Sequence, residues 1–76
     1  MSQAGNIVAI GEHEHVRALA LAGVRVVSAD DPDAARAAWE ALPADVALVI
    51  LTPAAHAAIA GELADGGRRL WVVMPA

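Results

Sequence analysis

The sequence predicts an α/β domain: a four-stranded parallel sheet of order 2-1-3-4 with three helices. Three observations predict it. Four short aliphatic runs alternate with three longer alanine-rich segments. The connections are short, and helix-start and helix-stop signals fall at the junctions. The third run is apolar at every position, as a parallel strand buried on both faces should be.

Ile7, Val8, Ala9 and Ile10 form the first run, ended by Gly11, and read as a buried strand. Residues 12–22 carry Val16, Leu19 and Ala20 at helical spacing. Glu12 and Glu14 precede them, where negative charge suits the positive end of a helix dipole. Gly23 stands where a helix stops in a left-handed residue. The second run, residues 24–27, contains Arg25, a charge that suits an edge strand.

Asp31 then offers a side-chain cap, Pro32 the first helical position, and Asp33 an acid in the first turn. A helix follows to about Leu42, with Ala35, Ala38, Trp39 and Leu42 on its apolar face, and ends before Pro43. Residues 46–51 are the central strand. Thr52-Pro53 repeats the cap-and-proline signal and opens a third helix to about Ala64 or Asp65, closed by Gly66-Gly67. Leu70-Trp71-Val72-Val73-Met74 forms the last strand, stopped by Pro75.

This order, with right-handed crossovers, resembles the doubly wound sheets of flavodoxin-like and Rossmann-like folds. It puts the first helix on one face and the other two on the opposite face. One helix cannot cover four strands, so the face over strands 3 and 4 is predicted to lie bare. Bare apolar surface marks a place where something docks, either a partner or a second copy. Val49 and Leu51 on the central strand and Trp71 on the last strand are the candidate partner contacts. Trp39 and Trp71 are also expected to help fill the core beside Val, Ile and Leu.

With 76 residues, the chain reads as one domain over residues 1–76, near the size at which a core becomes hard to build. It contains no cysteine, which excludes disulfides and thiolate metal sites and suits the cytoplasm. A net charge of −4, with no lysine, argues against nucleic acid as a partner. The longest apolar stretches, residues 18–24 and 46–51, are too short to span a bilayer, so no direct membrane insertion is expected. The first residues lack the cationic start of a signal peptide.

Few constellations offer chemistry. His13 and His15, flanked by Glu12 and Glu14, suggest a metal site, but residues two apart do not share a helix face. Gly11 occupies the start of a phosphate loop, yet the remaining glycines and the lysine of such motifs are missing. Asp30 stands where a ribose-binding acid would sit. Asp30, Asp31 and Asp33 do not make a phospho-acceptor pocket, since Leu51-Thr52 fills the acceptor position; capping accounts for them better. Ser2, Ser28 and Thr52, the only hydroxyls, form no nucleophile-and-base set. No catalytic residue, metal ligand or cofactor is expected, and His56 reads as a surface or interface residue.

Several segments together resemble the F subunit of the archaeal and bacterial V-type rotary ATPases. They are Ile10-Gly11-Glu12, Leu21-Ala22-Gly23-Val24, the run Val46-Ala47-Leu48-Val49-Ile50-Leu51-Thr52, and Val72-Val73-Met74-Pro75. Ala18-Leu19 replaces the Gly-Phe pair usual before Leu-Ala-Gly-Val. The family runs on past the proline into a C-terminal tail, whereas this sequence stops at Ala76. The resemblance implies a non-catalytic central-stalk component that couples ATP turnover to ion transport through contacts with the coiled-coil shaft and other rotary ATPase subunits. It further implies a place in the cytoplasm, peripheral to a membrane complex. Two other functions fit the same fold: a small nucleotide- or small-molecule-binding domain using the crevice beyond strands 1 and 3, and a ligand-free homodimeric module.

Overall fold

Strand and helix alternate from end to end of the computed structural model, which describes residues 6–63 and 70–75. Among these, the elements are β1 (Ile7–Gly11), α1 (His13–Ala20), β2 (Arg25–Ser28), α2 (Pro32–Glu40), β3 (Leu48–Leu51), α3 (Pro53–Leu63) and β4 (Leu70–Val73). All three strand pairings are parallel, and the sheet order is β2-β1-β3-β4. The predicted fold is the observed one. Gly66-Gly67, read as the stop of the third helix, lies outside the described residues.

The junction signals act as their chemistry requires. Asp31 Oδ1 accepts from the Ala34 N–H at 2.7 Å and caps α2, with Pro32 at its first position. Thr52 Oγ1 accepts from the Ala55 N–H at 3.2 Å and caps α3. Gly23 has φ 89°, a left-handed conformation that its missing Cβ permits. Around it the Gly23 N–H donates to the Ala20 carbonyl and the Val24 N–H to the Leu19 carbonyl. These nested bonds close α1 as a Schellman turn.

The two faces of the sheet differ. Val8, Ile10, Val49 and Leu51 join Ala35, Ala55 and Ile59 in the main core, with Val27, Ala38, Trp39 and Leu42 packed against it. These side chains lie between the sheet and the α2–α3 layer, whose helices also pack on each other. Because side chains alternate along a strand, Ile7, Ala9, Leu48 and Ile50 face the other way. There α1 packs on β1 and β2, burying Val16 completely. Trp71 is not a core residue, as it is 38% exposed; it closes the margin of the main core against His56, with ring centroids 5.2 Å apart. Among the described residues, no helix is long and apolar enough to cross a membrane.

Candidate functional site

The bare region is on the α1 side of β3 and β4. The register pairs Leu48 with Leu70 and Ile50 with Val72, so the four side chains form a two-by-two apolar patch. Leu70 is 70% exposed and Val72 49%, while Leu48 and Ile50 are half-buried. Parallel strands normally carry a helix on each face, because bare aliphatic surface is costly in water. Here α1 packs chiefly on β1 and β2.

Of the three candidate partner contacts read from the sequence, two are buried. Val49 and Leu51 are 0% exposed, buried beneath the α2–α3 layer, and unavailable to a partner in this conformation. Leu48 and Ile50, one position earlier in the alternation, occupy the open side. Trp71, the third candidate contact, keeps an exposed edge but lies on the α3 side, tilted 32° against the His56 ring. An apolar run as uniform as residues 46–51 does not reveal which of its faces is covered. Only the crossover geometry reveals that.

A crevice of about 580 Å³ lies at the carboxyl ends of β1, β3 and β4. Its walls are Pro53, Ala54, Met74 and Pro75 on the apolar side, and Glu12, Glu14, His15 and Thr52 on the polar side. Thr52, fully buried, donates its hydroxyl hydrogen bond to Glu12 Oε1 at 2.5 Å. That bond, aided by the backbone N–H of Glu12 and opposed by partial burial, holds the Glu12 carboxyl below its ordinary range. The His15 ring lies 3.6 Å from Glu12 Oε2 and adds a smaller pull in the same direction when protonated. The carboxylate therefore stays ionised in near-neutral solution.

Gly11 makes this arrangement possible. A Cβ on Gly11 would meet Thr52 Cγ2 at 2.2 Å and Thr52 Cβ at 2.9 Å, so no other residue fits between β1 and the Thr52 cap. The glycine that invites comparison with a phosphate loop serves close approach of two strand ends instead. With Glu12 between the starts of α1 and α3, a phosphate entering there would meet a negative charge.

A second, smaller crevice, about 130 Å³, is lined by Glu12, Asp30, Asp31 and Pro32 among others. Here Asp30 Oδ1 accepts from the His13 backbone N–H at 3.0 Å, while His13 Nδ1 lies 3.4 Å from Ser28 Oγ. His13 thus leans toward β2 and His15 toward Glu12, and their side chains diverge. Among the described residues, no three His, Cys, Asp or Glu side chains come together to hold a metal ion. Sequence reasoning misses the Glu12–Thr52 bond, because forty residues separate the pair. The available signal is a small residue and a hydroxyl ending two strands that the predicted order places side by side.

No protein-family model, curated protein or solved structure matches this chain.

Proposed function

We propose that the chain is a non-catalytic docking module, a component of a V-type rotary ATPase central stalk that resembles the F subunit, and couples ATP turnover to ion transport through protein–protein contacts. The observation that carries this reading is the half-covered sheet. Leu48, Ile50, Leu70 and Val72 form a contiguous apolar patch on the side of β3 and β4 that α1 leaves open. The segments that resemble this family support the specific assignment, and the shaft of the stalk supplies helices of the kind a bare sheet face takes up. An acidic crevice also suits a docking protein better than a nucleotide enzyme, because Glu12 and Glu14 disfavour phosphate.

Co-expression with a tagged coiled-coil shaft protein encoded by the same genome tests the reading. The expected result is a complex that survives size-exclusion chromatography at micromolar concentration, with Leu70→Glu or Val72→Glu lowering affinity at least tenfold. Failure of the folded wild-type chain to bind at tens of micromolar contradicts the assignment.

A further inference from the structure

The crevice at the carboxyl ends of β1, β3 and β4 has the size and the place of a small-molecule site. Its volume, about 580 Å³, falls in the range that such sites occupy. It stands at the end of neighbouring strands β1 and β3, whose following helices lie on opposite faces, where open α/β sheets leave a gap for a ligand.

Backbone bonds hold its walls. The Thr52 N–H donates to the Ile10 carbonyl at 3.2 Å and the Met74 N–H to the Leu51 carbonyl at 2.7 Å. The ladder therefore carries on past the strand ends and fixes where Pro53 and Pro75 begin. The fully buried Thr52 hydroxyl orients the Glu12 side chain at the rim. Walls set in advance lower the ordering cost of binding.

The lining selects a class of ligand. Pro53, Ala54, Met74 and Pro75 make one part apolar, and Glu12 and Glu14 make the other negative. Thr52 takes Glu12 Oε1, whereas Oε2 has the His15 ring 3.6 Å away. Glu14 is exposed and has no ion-pair partner among the described residues. Arg17, Arg25 and Arg36 do not line the crevice, and Arg36 pairs with Asp33. Arg68 and Arg69 lie outside the described residues. An anion meets repulsion here, and a neutral apolar molecule desolvates carboxylates without pairing them. An amine with an apolar body satisfies both parts.

We infer that this crevice binds a small organic cation, a primary amine on a compact apolar body, with its head against Glu12 and Glu14 and its body on Met74 and Pro75. The site shares no residue with the open face over β3 and β4. It goes beyond the docking function proposed above and does not rest on it.

Tryptamine, indole-3-propionate and methylamine are the probes, each titrated into the isotopically labelled chain at near-neutral pH and low salt. Tryptamine should shift the amides of Glu14, His15, Ala54 and Met74 along a saturating curve at millimolar concentration or below. Indole-3-propionate, with the same rings and the opposite charge, should leave them in place. Methylamine, a charge without a body, should shift them about tenfold more weakly. Glu12→Gln keeps an oxygen that accepts from Thr52, and should weaken tryptamine by about tenfold, as loss of a bond to a charged group does. Glu14→Gln, at an exposed side chain that leaves the fold untouched, should weaken it about threefold.

Equal shifts from tryptamine and indole-3-propionate, or saturation by no probe, overturns the inference. So does methylamine matching tryptamine, which marks an acidic surface only. Undiminished tryptamine binding in Glu14→Gln and in folded Glu12→Gln overturns it as well. None of these outcomes bears on whether the shaft protein is retained, so the stalk assignment is judged apart.

Discussion

Thr52 Oγ1 donates to Glu12 Oε1 at 2.5 Å while accepting from the Ala55 N–H at 3.2 Å, so one buried hydroxyl ties the start of α1 to the start of α3. The bond spans the switch point between neighbouring strands β1 and β3, whose following helices, α1 and α3, lie on opposite faces of the sheet.

Thr52→Val keeps the side-chain volume and removes both hydrogen bonds. It should cost about 1–3 kcal/mol, the range for a lost helix cap together with a lost bond to a charged group. Urea denaturation at pH 7 measures the loss. Thr52→Ser, which keeps the hydroxyl, should recover most of it.

Acid should reveal the same bond. The Glu12 carboxyl is held below its ordinary value in the folded state, chiefly by the Thr52 hydroxyl. A depressed carboxyl contributes stability that is fully present above the unfolded-state value, about 4.3. That contribution is lost as pH falls through the lower, folded-state value. Stability should therefore decline below about pH 4.5, and the decline should be shallower in Thr52→Val. A side-chain carbon titration of Glu12 should show its midpoint rising toward the ordinary value in the variant.

The two glycines at Gly11 and Gly61 should respond to alanine with opposite signs. At Gly11 the new Cβ collides with Thr52, including its backbone-proximal Cβ at 2.9 Å, so relief needs movement of a strand end. A cost of about 1–3 kcal/mol follows from overpacking. At Gly61, in the interior of α3, nothing lies within 4 Å of the added carbon. There alanine should stabilise by about 0.5–1 kcal/mol through its better helix propensity. Thermal denaturation of the two variants checks both signs.

Neighbouring strand residues should separate stability from binding. Leu51→Ala empties a fully buried position and should cost about 2–5 kcal/mol. Val72→Asp, at a position 49% exposed, should change stability little while weakening partner binding at least tenfold. Parallel urea melts and binding titrations distinguish the two classes.

Much of this architecture is legible in the residues because its signals are local. Asp31-Pro32 and Thr52-Pro53 cap helices that start where they predict, and Gly23 ends α1 through its positive φ. Strand order follows from short right-handed crossovers, and with it the bare half-face. What escapes is set by alternation and long-range contact. That Val49 and Leu51 are buried while Leu48 and Ile50 face the open side is not marked in the sequence, since an all-apolar strand carries no polar residue to mark its outward side. Trp71 has the size and apolar character of a core residue, but its place on the terminal strand leaves it partly exposed. The Glu12–Thr52 bond depends on two strand ends meeting, which no local pattern encodes.

Amide hydrogen exchange of the chain with and without the coiled-coil shaft protein tests the docking surface most directly. The account predicts added protection at residues 48–51 and 70–73 together with the start of α1, and unchanged exchange across α2. Protection confined to the α2–α3 layer, or none when the shaft protein is present at saturating ratio, would contradict it.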